Sequence, residues 1–248
     1  MRNFEFATIQ VSNYGKEEIA DECAANAINP EIGLHYHFLN TYVIQMALND
    51  GELREVLNSD AARCVFDGKP LAILSKLFRN RQYRMEQIRG ADFMRFMFSK
   101  DFQESLNHFL LGGSVETLKS LVDILSLDAN IVGSFSPPFV PTSELNLTEI
   151  VDKIVDSGAN IVWVGLGTPK QDFVAHRISS LTNLPTLCVG AAFDFLAGSV
   201  PEAPRALRNL GLEWLFRLSA DPRRLWRRYL IGNWSIIKIL TKMLKTHR

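Results

Sequence analysis

Asp67 follows the short apolar run Cys64-Val65-Phe66 and precedes Gly68, Lys69 and Pro70. A carboxylate just past a strand end, beside a permissive glycine, faces the region where open α/β sheets bind their ligands. A sugar hydroxyl is a poor nucleophile until a base removes its proton, and a positioned Asp can do that. The same residue could equally be a turn Asp that caps the next helix, and spacing alone leaves both readings open. A second stretch, Gly165-Leu166-Gly167-Thr168-Pro169-Lys170-Gln171, sets two glycines after an apolar strand. Glycines there let the backbone approach a phosphate or a uracil, and the helix that follows starts with an electropositive end. The third glycine of a dinucleotide fingerprint is missing, and the spacing is not that of a Walker loop. Lys170 and Gln171 are within reach of a nucleotide, with a plain strand-to-helix turn as the alternative.

Two further stretches are weaker by themselves. Gly112, Gly113 and Ser114 form a glycine turn before a helix, suited to contact with a pyrophosphate. Gly190-Ala191-Ala192-Phe193-Asp194-Phe195-Leu196-Ala197-Gly198 sets one carboxylate, Asp194, among small and apolar residues. A buried Asp needs a partner, so Asp194 is either structural or ligand-binding. The five histidines make no HExxH or DxH pattern, and His35 and His37 alternate along one predicted strand. Cys23, Cys64 and Cys188 lie far apart without zinc spacing, and an odd count suits a reducing compartment. No DxD pair sits in a suitable loop, so neither a metal nor another cofactor is expected.

These residues need a scaffold that brings strand ends together. His35 to Leu39, Cys64 to Phe66, Phe109 to Leu111, Ile131 to Gly133, Ile161 to Val164 and Thr186 to Val189 read as short apolar strands. Helices are predicted from near Thr41, over 52–59, from Ser114 through Leu125, over 147–157, and after Pro169 to about Ser180. Apolar strands alternating with helices make βαβ units and a parallel sheet. The expected fold class is α/β: a Rossmann-like parallel-sheet core over residues 1–204, with helices on both faces.

Residues 205–248 differ from this core. The chain has 27 Lys and Arg against 27 Asp and Glu, but this segment holds 11 of the bases and only 2 of the acids. It therefore carries +9, and residues 1–204 carry −9. Arg223, Arg224, Arg227 and Arg228 interleave with Leu225, Trp226, Tyr229 and Leu230, followed by Trp234, Ile237, Leu240 and Leu244. Such a basic amphipathic helix suits an anionic membrane interface. Packing on its own core or on a second subunit is the alternative, so a homo-oligomer stays open, and a nucleic-acid partner is not expected. The N-terminus has no signal-type apolar region, and no apolar run is long enough to span a bilayer.

In sequence order, FLNTYVIQMALND, VFDGKP, IRGADFM, FLLGGS, IVGSFSPPF, VWVGLGTPKQDF, VGAAFDFLAG and LEWLFRLSADPRRLWRRY resemble the WecG/TagA/CpsF family, glycosyltransferase family 26. The resemblance implies metal-independent, inverting transfer from a UDP-sugar to an undecaprenyl-diphosphate-linked sugar in bacterial surface-polysaccharide synthesis. It also implies a C-terminal appendage that docks peripherally on the cytoplasmic face of the plasma membrane and helps complete the active site. On matching motif positions, Asp67 becomes the catalytic base. Asn40 with Thr41, Gly112 with Gly113, Gly167, Lys170, Gln171 and Asp194 become substrate-binding residues. Arg217, Arg224 and Arg227 of the appendage would meet a diphosphate. The chain departs from the family pattern at Leu39, where Thr is common, at Gln87, where Arg is usual, and at Glu202, which replaces the Arg of an RAP triplet.

Overall fold

The computed structural model describes residues 3–75, 85–99, 105–127, 129–223 and 225–226. Its centre is a parallel sheet of six strands: β3 (His35–Leu39), β4 (Ala62–Phe66), β5 (Asn107–Gly112), β6 (Asn130–Phe135), β7 (Ile161–Gly165) and β8 (Thr186–Cys188). The order across the sheet is β4-β3-β8-β7-β5-β6, and every pairing is parallel. Parallel strands need helical crossovers, which cover both faces. The strands accordingly bury side chains both ways. Trp163 and Tyr36 pack towards α1 (Lys16–Ile28), α5 (Gly90–Met97) and α6 (Val115–Leu125), while Val162, Val164 and Leu39 pack on the opposite face. That opposite face is covered by α2 (Thr41–Asn49), α3 (Gly51–Leu57), α7 (Leu147–Asp156) and α8 (Lys170–Thr182).

Helix starts follow their capping residues. The Asn40 side chain accepts hydrogen bonds from the Tyr42 and Val43 amides at 3.0 and 3.2 Å, fixing the start of α2 one residue beyond β3. Ser114 caps α6 through the Thr117 amide at 3.1 Å, and Asn146 caps α7 through the Glu149 amide at 3.2 Å. Each cap sets where a strand-end loop stops, and so where the loop can face a ligand.

The chain also contains elements that its hydrophobic patterning did not announce. An antiparallel hairpin, β1 (Asn3–Phe6) with β2 (Ile9–Ser12), turns through Ala7 and Thr8, both at positive φ. Phe4, Phe6, Ile9 and Val11 bury its inner side against β4 and α3. Further short helices are α4 (Lys69–Ser75), α9 (Ala192–Leu196), α10 (Arg205–Asn209) and α11 (Glu213–Ala220). Among the described residues no helix is long and apolar enough to cross a membrane. Most of the predicted basic amphipathic helix, from Arg227 onward, lies outside the described residues.

Candidate functional site

The carboxyl ends of all six parallel strands open into one cleft of about 1320 Å³. Asn40 follows β3, Asp67 follows β4, Gly113 follows β5, Ser136 follows β6, Gly167 follows β7 and Gly190 follows β8, and each lines this cleft. A parallel sheet produces this convergence because all its strands end on the same side.

Asp67 is fixed from three directions. Its amide donates to the Leu39 carbonyl at 2.8 Å, and its own carbonyl accepts from Gln87 Nε2 at 2.6 Å. Its Oδ1 accepts from the Gly90 amide at 3.0 Å, at the start of α5. Burial pushes the carboxyl up to about 6, and the Glu213 carboxylate pushes in the same direction. The Gly90 hydrogen bond and the Arg89 and Arg217 guanidinium groups hold it back. A carboxyl raised this far is still mostly ionised at pH 7 and takes up a proton more readily than an ordinary carboxylate, the property a general base needs.

Arg89, buried beside Asp67, is the hub of an ion-pair network. Its Nε and Nη2 meet the two Glu213 carboxylate oxygens at 3.0 and 3.1 Å, a two-pronged pair. Nη1 reaches Asp92 at 2.9 Å, and Nη2 also reaches Glu202 at 3.3 Å. Arg95 bonds Glu202 and Asp92 at 2.9 and 3.1 Å, and Arg208 approaches both carboxylates at longer range. Three guanidinium groups thus balance three carboxylates. Burial opposes the charge on Arg89, but Glu213 and Asp92 more than offset it, so Arg89 remains a cation. Glu202 sits where the resemblance led one to expect a base, and here it serves as an acid among arginines.

Across the cleft, the turn after β7 is held by its own side chains. Gln171, almost fully buried, accepts from the Gly167 amide through Oε1 at 3.1 Å and donates to the Cys188 carbonyl at 3.4 Å. Lys170 donates to the Val140 carbonyl at 2.6 Å, tying this turn to the loop after β6. On that loop Phe139 is fully exposed at the cleft edge, with the Lys170 amine 6.0 Å from its ring centre. Gly113 has φ +74, and its carbonyl accepts from Ser136 at 2.7 Å.

Of the residues singled out from sequence, Asn40, Asp67, Gly113, Gly167, Lys170, Gln171, Asp194 and Arg217 line the cleft together. Arg217 enters from α11, its guanidinium 5.2 Å from the Phe195 ring centre. Thr41 lines a smaller pocket next door. Gly112 does not line the cleft. At φ +106 it lies so close to Gly165 that a Cβ would meet the Gly165 carbonyl carbon and oxygen at 2.8 Å, so its role is to let β5 and β7 end together. Arg224 and Arg227 lie outside the described residues. Arg89, Glu213 and Phe139 are cleft residues to which sequence reasoning gave no role. An arginine just before Gly90-Ala91-Asp92, and the first of only two acids in the basic tail, were the available signals.

Beneath the cleft floor, strand register sets His37 beside both Cys64 and Cys188. His37, Cys188 and Asp172 of α8 bring one ligand-type atom each within 4.8 Å of one another. His37 Nδ1 already bonds Asp172 at 2.8 Å, and its Nε2 bonds His35 at 2.7 Å, so both ring nitrogens are engaged. The trio is a hydrogen-bonded part of the core, continued through His35 to Ser59 and His176.

The family model described as the glycosyl transferase WecG/TagA/CpsF family matches residues 4–248. A solved structure of a glycine-to-cysteine mutant of arylmalonate decarboxylase in a sulfate-associated form is 11% identical, covering 77% of this chain and 79% of that one. Its TM-score of 0.25 is too low to argue from.

Proposed function

The chain belongs to the WecG/TagA/CpsF family of glycosyl transferases, and on that premise we propose that it moves a sugar from a UDP-sugar to an undecaprenyl-diphosphate-linked acceptor. The observation that carries this reading is Asp67: a carboxylate held by the Gly90 amide and pushed up to about 6, on the wall of a cleft into which all six strand ends open.

In this reading the donor diphosphate lies against the glycine turns after β5 and β7, where backbone amides can approach its oxygens. Phe139 covers the base from the cleft edge, since a solvated aromatic ring gains by stacking on a nucleobase. Asp67 takes the proton of the acceptor hydroxyl as that oxygen attacks the anomeric carbon from the face opposite the diphosphate. The bond from the anomeric carbon to the diphosphate breaks as the new bond forms, and UDP leaves with the electron pair. Configuration inverts because only one displacement occurs. Arg217 makes no ion pair among the described residues and meets the charge on the departing diphosphate, a role that needs no resident metal.

The basic segment beyond Arg205 would then hold the enzyme on the cytoplasmic face of the plasma membrane. There each Lys or Arg near an anionic leaflet contributes about 1 kcal/mol. A catalytically impaired binding protein is the less favoured reading. The two departures that suggested it have structural partners here, Gln87 on the Asp67 carbonyl and Glu202 among the arginines. A panel of UDP-sugars, incubated with full-length protein and a polyprenyl-diphosphate-linked sugar, tests the proposal. One donor should release UDP only when acceptor is present, and release from no donor would overturn the transferase reading.

A further inference from the structure

Asp67 and the glycine turn after β7 stand at separate places along the sheet. Asp67 follows β4, and β3 and β8 lie between β4 and β7. A donor sugar whose diphosphate rests on the β7 turn, and whose anomeric carbon is attacked beside Asp67, therefore lies over the ends of β3 and β8. After β8 come Gly190, Ala191 and Ala192, which line the cleft without a polar side chain. After β3 come Asn40 and α2, so polar contacts to that sugar fall to them.

This helix has two faces. Val43, Ile44 and Ala47 are buried in the core. Tyr42, Gln45, Met46 and Asn49 line the cleft, at the three- and four-residue spacing of one helix face. They span about 10 Å of helix axis. The amides here are neutral and unevenly used. Asn40 Oδ1 is committed to the Tyr42 and Val43 amides, which leaves Nδ2 as a donor. Asn49 Nδ2 donates to the Gln45 carbonyl at 2.8 Å, which leaves Oδ1 as an acceptor. The partly exposed Gln45 carboxamide bonds to none of the described residues and offers both a donor and an acceptor. A sugar hydroxyl or an acetamido group also donates and accepts, and matches such a wall.

Charge narrows the sugar further. Residues 40–50 contain no Lys or Arg. Asp50 closes the far end of this wall with a carboxylate, held where it caps α3 through the Leu53 amide at 3.1 Å. The basic residues that line the cleft among those described are engaged elsewhere. Arg89 is bound by Glu213 and Asp92, Lys170 is tied to the Val140 carbonyl, and Arg217 faces the donor diphosphate in the proposed reaction. A uronate carboxylate against α2 would lose water without gaining a cation.

We infer that the cleft-facing side of α2 is the donor-sugar subsite, with Gln45 as a specificity-determining residue. The sugar it takes is neutral, a hexose or an N-acetylhexosamine, and not a uronic acid. This inference rests on the donor class proposed above, and its test is a binding measurement that does not require turnover.

Full-length protein would be titrated with UDP, UDP-glucose, UDP-N-acetylglucosamine and UDP-glucuronate. UDP-glucose and UDP-glucuronate differ only at C6, and the glucuronate should bind about tenfold or more weakly, the scale of an unpaired buried charge. Gln45→Ala should weaken at least one of the two neutral UDP-sugars by about fivefold, the scale of one lost hydrogen bond. Its UDP affinity should stay unchanged, and alanine keeps the helix intact. Whichever neutral sugar loses more identifies the group that Gln45 reads. Gln45→Arg supplies the missing cation and should narrow the gap between UDP-glucose and UDP-glucuronate. UDP-glucuronate binding as tightly as UDP-glucose to the wild type would overturn the inference, as would a gap that Gln45→Arg leaves unchanged. So would Gln45→Ala weakening UDP as much as the UDP-sugars, which would assign the α2 face to the nucleotide, or weakening none of them. Gln45-dependent sugar binding without any acceptor-dependent UDP release would sink the proposed reaction and leave the subsite standing. Release from a neutral donor that Gln45→Ala leaves unaltered, in rate and in KM, would do the reverse.

Discussion

Arg89 and Glu213 stand 124 residues apart in the chain and meet in a two-pronged ion pair, with contacts of 3.0 and 3.1 Å. The pair fastens the first turn of α11, in the basic C-terminal segment, to the start of α5 in the α/β body. It also sets a carboxylate and a guanidinium beside Asp67, with opposite effects on its charge. The C-terminal segment therefore takes part in the electrostatics of Asp67.

That arrangement predicts the pH dependence of transfer. A base works deprotonated, so kcat/KM should fall as pH drops through the free-enzyme pKa of Asp67, at about 6. Glu213→Gln removes a charge that raises this pKa, so the acid limb should move to lower pH. Arg217→Gln removes a charge that lowers it, and the limb should move to higher pH. Initial rates from pH 4.5 to 8 would read both shifts (roughly one to two units either side of the pKa). Movement of both variants in the same direction would contradict the assignment of the limb to Asp67.

Gly112 and Gly167 separate structural from ligand-facing glycines. Both have positive φ, at +106 and +75, but a Cβ on Gly112 would strike the Gly165 backbone whereas one on Gly167 meets nothing within 4 Å. Gly112→Ala should therefore destabilise the fold by on the order of 2–4 kcal/mol, combining backbone strain with overpacking. Gly167→Ala should cost only about 1 kcal/mol. Urea unfolding would compare them, and equal losses would show that the strand-end packing matters less than the close approach implies.

The contrast shows how far the sequence could be read. Short apolar runs stopping at Gly or Asp marked β4, β5, β7 and β8, because a strand covered on both faces is apolar along its length, whereas β3 carries two histidines and stops at Asn40, and β6 runs on through Gly133 to Phe135. Asp67 was visible as a strand-end residue, and Gln171 and Asp194 as residues at the starts of the helices that follow β7 and β8. The sheet order was not visible, since crossovers do not record which strand they return to. Nor was the Arg89–Glu213 pair, whose residues carry no local pattern, or the His37–Cys188 neighbourhood, which exists only through strand register. The first hairpin escaped because Ala7 and Thr8 make its turn, where glycine or asparagine would have announced positive φ.

Phe139 contributes nothing to the core, being fully exposed. Phe139→Ala should leave the melting temperature unchanged and weaken UDP binding by about fivefold or more, the scale of base–aromatic stacking. Isothermal titration with UDP and with uridine would show a similar loss for both, because the base is common to them. Unchanged affinity would remove Phe139 from the nucleotide site.

The buried histidines predict acid sensitivity. Burial lowers His35 to about 2, with His37 and His176 adding to it, and burial lowers His108 to about 3. Between these values and the unfolded value of about 6.5, the unfolded chain binds more protons, so stability falls as pH falls. Each such histidine contributes about 1.4 kcal/mol per pH unit. Asp67 acts oppositely: its folded value lies above its unfolded one, so between about 6 and 3.8 the folded state gains a proton first. The net slope should still be positive, and His108→Gln should reduce it. Urea midpoints measured from pH 7 to 4.5 would check this; a stability that is flat or rises on acidification would contradict it.

The central claim is that Asp67 is the base of a sugar transfer, and one comparison tests it most directly. Acceptor-dependent UDP release would be measured for wild type and Asp67→Asn with the same donor, together with UDP binding and thermal stability. Asn preserves the acceptor oxygen for the Gly90 amide. Because the ionised carboxylate costs stability above pH 6, the variant should be at least as stable as wild type at pH 7. The account predicts UDP affinity within about twofold of wild type and transfer reduced by about 100-fold or more, the scale of lost general-base catalysis. Transfer at an undiminished rate in Asp67→Asn would contradict it.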